Sequence, residues 1–240
     1  MRPRRRSHPA RVRRHVPQGP RLAAVEGPAL DAAEARGARR PARRAGGRRL
    51  ARRAVAGVEK KARRERRLIV CVDEAAFYLL AGVVRTYAPC GETPILKVFQ
   101  TRDHLSVMSG ITPAGQLATR TRARALTSLD SVAFLRHLYW YFGGKLLVIW
   151  DGASIHRATE VKDFLADGWT KVIHLECFPV YAPELNPDEG VWQHLKHVEL
   201  RNVCCINFAH LSIELDLAIR RLRQRSDLIR SFFADAELDL

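Results

Sequence analysis

The sequence predicts an α/β fold in which a mixed sheet is flanked by helices. Two short apolar runs, Leu68–Val72 and Leu146–Trp150, are bounded by polar residues and read as strands buried on both faces. Between them lies a partly β-branched pair of segments with a Pro-Ala-Gly turn, the pattern of a hairpin. After them, helix-like and strand-like segments alternate to residue 223. Hairpin strands first and alternation later describe a sheet with helices packed on its faces.

Taken in order, Arg63–Arg67 is the charged end of a helix that leads into a strand over 68–72. Phe77–Val84 continues as strand or turn, and Tyr87–Pro94, rich in turn formers, is a loop. His104–Thr112 and Gln116–Thr121 form the hairpin around Pro113-Ala-Gly115. Ser128–Phe142 has helical spacing and is stopped by Gly143-Gly144; Tyr139, Trp140 and Tyr141 read as part of its core face. A strand over 146–150, a helix near Ala158–Ala166 and a strand over Val172–Phe178 follow. The next helix starts at Asn186 and runs to about Glu199, with Trp192 and Leu195 in the core. A last amphipathic helix covers Phe208–Arg223.

Charge divides the chain unevenly. Of 41 basic and 25 acidic residues, 23 basic and 5 acidic ones fall within residues 1–67. The net charge of +16 therefore belongs to the leading segment, and the rest is close to neutral. That segment has no aromatic residue before Phe77, no Ile before Ile69 and no Lys before Lys60. Too little apolar surface is available to offset ordering entropy, so residues 1–62 are expected to be a disordered basic arm, with residues 63–240 as the folded domain. Such an arm would neutralise DNA phosphates without reading sequence. Its Arg, Ala, Gly and Pro bias also fits GC-rich DNA translated out of frame or from a wrong start, and the composition favours that reading. No apolar run approaches the roughly 20 residues needed to cross a bilayer, so a cytoplasmic, nucleoid-associated protein is expected. Five cysteines without a CxxC pair support neither a zinc site nor a disulfide framework.

The chemistry sits in carboxylates. Asp73 closes the first apolar run, Asp151 closes the second, and Glu189 opens a helix after Tyr181–Pro187. If the two strands are parallel neighbours, Asp73 and Asp151 stand side by side at one rim. Crowded carboxylates repel and become a trap for hard cations such as Mg²⁺. Two such ions roughly 3.5–4 Å apart serve phosphodiester chemistry. Each residue has a simpler reading: a solvated turn for the aspartates, and for Glu189 the N3 position of a capping box with Asn186 as N-cap and Pro187 first in the helix. Spacing alone leaves Asp188 open as an alternative to Glu189, and Glu74 as an alternative to Asp73.

Three segments carry a family resemblance. Val148-Ile-Trp-Asp151-Gly-Ala-Ser-Ile-His156-Arg157 and Phe178-Pro-Val-Tyr-Ala-Pro-Glu-Leu-Asn-Pro-Asp-Glu189-Gly-Val-Trp192-Gln-His-Leu-Lys196 closely resemble the DDE transposases of bacterial insertion sequences, in the mariner-like superfamily. Val72-Asp73-Glu74-Ala-Ala-Phe77 looks like that family's first motif, and Arg85–Pro94 like the loop after it. The likeness covers about residues 63–225. Gly152 stands where Asn is often found, and Phe178-Pro-Val where Leu-Pro-Pro is commoner. Residues 1–57 lack the pair of amphipathic helices of the relatives' helix-turn-helix region.

The resemblance implies a ribonuclease H-like fold and a metal-binding, catalytic triad of Asp73, Asp151 and Glu189. It implies two Mg²⁺ ions, replaceable by Mn²⁺, and strand cleavage at element ends followed by joining to target DNA. It also implies a homodimer on DNA. His156 matches the family's second-motif histidine and is a candidate phosphate contact, as are Arg85, Lys97 and Lys196, the last seven residues after Glu189. The rival readings are a catalytically inactive remnant that only binds DNA and a hydrolase of RNA–DNA hybrids.

Overall fold

The structure, a computed structural model, describes residues 57–79, 104–178, 185–236 and 238. The leading segment up to residue 56, the loop at 87–94 and the possible strand continuation over 80–84 lie outside the described residues, as do Arg85 and Lys97. Among the described residues, five strands form one mixed sheet flanked by helices, as the sequence predicts.

A helix, α1, occupies residues 57–65 and runs through the boundary expected between 62 and 63. Ala62 is buried in the core, and Lys61 pairs with Glu176 at 2.7 Å, so this helix is fastened to the sheet. The strands are β1 (Arg67–Tyr78), β2 (His104–Ile111), β3 (Leu117–Arg122), β4 (Lys145–Trp150) and β5 (Ile173–Cys177). Their spatial order is β3-β2-β1-β4-β5. β1, β2 and β3 pair antiparallel, whereas β1, β4 and β5 run parallel. The predicted hairpin is present, closing with Ile111 opposite Leu117.

β1 is longer than its apolar run. The run ends at Val72 because two carboxylates follow, yet pairing with β2 continues to Tyr78 opposite His104. Ladder hydrogen bonds from β2 keep these residues extended regardless of side-chain polarity. Pairing with β4 stops earlier, at Cys71 opposite Ile149. Asp73 therefore sits inside a strand, not at its end. The 67–145 register also carries Asp73 to the level of Asp151, one step past the last residue of β4.

Strand alternation sorts the core into two layers. Ile69, Cys71, Leu147 and Ile149 face the helices α4 (Asp188–His194), α5 (Phe208–Arg223) and α6 (Ser226–Asp235). Val70, Val72, Val148 and Trp150 face α2 (Ser128–Phe142) and α3 (Thr159–Ala166). Complete burial of each such aliphatic side chain contributes roughly 1.5–3 kcal/mol. No helix among the described residues is long and apolar enough to cross a membrane.

α2 ends where predicted, with Gly143 at φ 72°, a backbone that L side chains rarely adopt. Its aromatic end corrects the core reading: Trp140 is 77% exposed and Tyr141 45%. The buried stripe is Val132, Phe134, Leu135 and Leu138, and a helix turning 100° per residue carries Trp140 to the opposite side. α4 is shorter than the predicted 186–199 helix. It passes into a five-residue π-helical stretch, Leu195–Glu199, closed by Leu200 N–H donating to the Leu195 carbonyl at 2.9 Å. Trp192 and Leu195 are core residues, as predicted. α6 has no counterpart in the sequence reading.

Candidate active site

Asp73 stands in the middle of β1 on the face toward α4. Its Oδ2 accepts a hydrogen bond from the indole Nε1 of Trp192 at 3.0 Å. Burial pushes its carboxyl from the usual 3.8 up to about 7, against the backbone N–H of Glu74 and the indole, which favour the charged form; the charges of Glu189 and Glu74 push it higher. Trp192 is held in turn by an edge-on contact with Phe77, ring centroids 6.0 Å apart.

The start of α4 supplies two further carboxylates. Asn186 Oδ1 accepts from the Asp188 N–H at 3.2 Å, but the N-cap of α4 is Pro187, with no side-chain cap bond, in place of the predicted Asn186 cap. The first helical residue is Asp188 rather than Pro187, a shift of one position. Asp188 is fully buried, and its Oδ1 accepts from the Ser109 hydroxyl at 2.7 Å. Its Oδ2 is buried with no hydrogen-bond partner. Burial first, then the neighbouring charge of Asp73, raises its carboxyl well above the ordinary range. Glu189, the next residue, is exposed and acts electrostatically on both Asp73 and Asp188.

Glu74 points to the opposite face of β1, as its neighbouring position requires. Its Oε1 meets His156 Nε2 at 2.6 Å, and His156 Nδ1 lies 2.8 Å from Asp151 Oδ1. His156 lies in a short 3₁₀ turn, Ser154–His156, and its ring stacks on Trp150 at 4.1 Å with 3° between planes. Burial opposes a charge on this imidazole, but the hydrogen bond and charge of Glu74, with those of Asp151, outweigh it and raise its pKa. Asp151 Oδ1 also accepts from the Ala153 N–H at 2.9 Å. One ligand atom from each of Glu74, Asp151 and His156 lies within 4.8 Å of the others, close enough to hold one ion.

Asp73, Asp188 and Glu189 act on one another electrostatically, Asp151 lies with Glu74 and His156, and the β1–β4 register sets Asp73 level with Asp151. The His156 side chain is 0% exposed, with Nε2 engaged by Glu74 and Nδ1 by Asp151. Lys196 is half-buried with Nζ 5.4 Å over the Phe77 ring, beside a cavity of about 250 Å³ lined by Tyr78, Leu79, Leu200 and Leu211. Sequence reasoning missed Ser109, which no motif singles out, and the tie between Glu74 and His156, which needs the β1–β4 register. It also read Trp192 as core alone; an indole N–H inside a core asks for an acceptor, and that demand was the available signal.

The donor set is carboxylate-rich, with one buried oxygen unpartnered and one carboxyl raised to about 7, chiefly by burial. Such a set fits a hard divalent cation, which would satisfy those oxygens and relieve their repulsion.

Comparison with known proteins adds the family. Residues 68–206, more than half of the chain, match the family described as DDE superfamily endonuclease. No curated protein matches the chain. Among solved structures it is similar to the mariner Mos1 paired-end complex with Mg, at 17% identity and TM-score 0.52, over 79% of this chain and 60% of that one. It is also similar to the Mos1 strand transfer complex (16% identity, TM-score 0.47, 79% and 62% covered). The catalytic domain of Mos1 mariner transposase matches at 14% identity and TM-score 0.42, over 80% of this chain and 96% of that one. The first of these likenesses carries the ribonuclease H-like fold. This chain spans about three fifths of the Mos1 chains in the two complexes.

Proposed function

The chain belongs to the DDE superfamily of endonucleases, and from that premise we propose that it is the catalytic part of a DNA transposase, cutting DNA at element ends and joining the freed 3′-hydroxyl to target DNA. The observation that carries this reading is the gathering of carboxylates from β1, from the residue after β4 and from the start of α4 within the family-matched span. We take the catalytic domain to begin with the helix at 57, since Ala62 is part of its core.

Asp73, Asp151 and Glu189 are the proposed ligands of two Mg²⁺ ions, with Mn²⁺ able to substitute. Bound there, the ions supply the charge that favours attack on a phosphodiester and departure of its 3′-oxygen. The chain's own groups do the positioning. Trp192 orients Asp73, the Ala153 N–H and His156 orient Asp151, and Asn186 fixes the helix start that presents Glu189. Glu189 is exposed, whereas Asp73 is half-buried and Asp188 fully buried, which suits a group that meets substrate-side ions. Lys196 is proposed to take a backbone phosphate, and the active unit on DNA is proposed to be a homodimer.

The test is nicking and strand transfer on a supercoiled plasmid carrying the element's terminal repeats, with Mg²⁺ or Mn²⁺, beside Asp151→Asn and Glu189→Gln. Loss of at least about 100-fold in both variants is expected, the scale of removing a transition-state charge contact. Equal activity of the wild type and Asp151→Asn would reject the site. DNA binding without nicking under any divalent cation would instead favour the inactive remnant, and preference for an RNA–DNA hybrid the hydrolase.

A further inference from the structure

β4 ends at Trp150, so Asp151 leaves the ladder with its side chain 53% exposed. An unrestrained aspartate there would sample several rotamers, and ordering it on metal arrival costs free energy. The structure restrains it through a neighbour. His156 is immobilised by stacking on Trp150 and by complete burial, and its Nε2 is fixed on Glu74 Oε1 at 2.6 Å. Its Nδ1 hydrogen-bonds the Asp151 backbone carbonyl at 3.2 Å and sits within ion-pair distance, 2.8 Å, of Asp151 Oδ1. The chain of contacts Asp151–His156–Glu74 ends on β1, one residue from Asp73.

We propose that His156 is a positioning residue: together with Glu74 it forms a clamp that fixes the Asp151 carboxylate against β1 in advance of metal binding, rather than contacting DNA or the ion itself. The proposal rests on the reading of Asp151 as a metal ligand. It gives Glu74 a role distinct from that of Asp73, although the two acids are adjacent: Asp73 points to α4, Glu74 to the imidazole. A purely structural histidine would predict lost stability alone on removal. A clamp predicts lost metal affinity as well, since partners that orient ligands typically cost 10–100-fold in affinity when mutated.

The experiment uses the full chain. In metal-free protein labelled with ¹⁵N-histidine, Glu74→Gln and Asp151→Asn are each expected to shift the His156 ring-nitrogen resonances; an unmoved spectrum in Glu74→Gln overturns the clamp. Calorimetric titration with Mn²⁺ comes next. His156→Ala and Glu74→Gln should each weaken affinity by about 10-fold or more, and the double variant no more than either alone. kcat for nicking should fall in both with KM for DNA unchanged. Glu74→Gln keeps the shape of its side chain, so it tests the clamp even if His156→Ala does not fold. Unchanged Mn²⁺ affinity in Glu74→Gln overturns the proposal, as does ¹⁴N coupling from the His156 imidazole to bound Mn²⁺, which would make it a ligand. A chain with the expected spectra and affinity losses that nicks no DNA overturns the transposase reading alone.

Discussion

The indole Nε1 of Trp192 donates to Oδ2 of Asp73 at 3.0 Å, joining the buried face of α4 to the middle of β1. One hydrogen bond thereby links the strand and helix that carry proposed ligands. Trp192→Phe keeps most of the packing against Phe77 and removes the donor. A loss of about 2 kcal/mol is expected, the scale of a bond to a charged group. Urea unfolding measures it, and nicking should fall with it, because Asp73 loses both its orientation and a stabiliser of its charged form.

Stability of the metal-free protein should fall as pH rises. Asp73 is raised from 3.8 to about 7, so between those values the folded chain keeps a proton that the unfolded chain has released. Unfolding then releases protons, and the folded state loses ground with increasing pH across that window. Asp188 is shifted in the same direction, and His156, raised above 6.5, adds a loss of the same sign as pH passes its folded value. The melting temperature should drop between pH 5 and 7.5, by about 2–4 °C for each kcal/mol lost. Asp73→Asn should flatten that slope, and a rising Tm over this range in wild-type protein would contradict the burial of Asp73.

Divalent cation should reverse the loss. At pH 7.5, Mn²⁺ at about 100 times its dissociation constant should stabilise the fold by about 2.7 kcal/mol. Differential scanning calorimetry with and without EDTA reads the change, and Asp151→Asn should abolish most of it.

Gly190 lies where α4 meets α6. A Cβ there would sit 2.6 Å from Cγ of Phe232, and the aromatic ring has no free volume to retreat into because Phe232 is itself in the core. Gly190→Ala should cost about 1–3 kcal/mol by overpacking. It should also displace the helix that carries Asp188 and Glu189, so nicking is expected to fall further than stability alone accounts for. Gly152→Ala, with open space around its Cβ position, is the matched control for stability.

Far from the site, Asp130 holds the start of α2. Its carboxylate accepts from Arg122 at 3.0 Å, from Arg124 at 2.7 Å and from the Thr127 N–H at 3.0 Å. Burial works against its charge, but these donors overcome it and hold the carboxyl far below the ordinary range. Asp130→Ala removes the cap and leaves two guanidinium groups without their carboxylate, and should cost about 2–3 kcal/mol in urea. The contribution is present above pH 3.8 and is lost on acidification below it.

Much of the fold was legible. Apolar runs bounded by charge located β1 and β4, and the hairpin turn and the Gly143 stop were found because local chemistry alone decides them. The length of β1 was not legible, because β2 rather than side-chain polarity extends it past Asp73 and Glu74. Trp140 misled because composition does not say which way a uniformly apolar helix end faces. α6 escaped because its apolar face answers to Gly190 and the α4 surface, which are distant in sequence. Within the candidate site, motif resemblance located the acidic residues, whereas the partition between them came from strand alternation, which sends Asp73 and Glu74 to opposite faces.

β1 continues seven residues past its pairing with β4, from Val72 to Tyr78, and among the described residues no strand pairs with that flank of it. The parallel ladder is finished before the chain turns away at Asp151. Loop length downstream is therefore mechanically decoupled from the platform that bears Asp73 and Glu74. Insertions or deletions between α3 and β5 can lengthen or shorten that connection while leaving the β1–β4 alignment untouched, so diversification there comes at little risk to the acidic residues on β1.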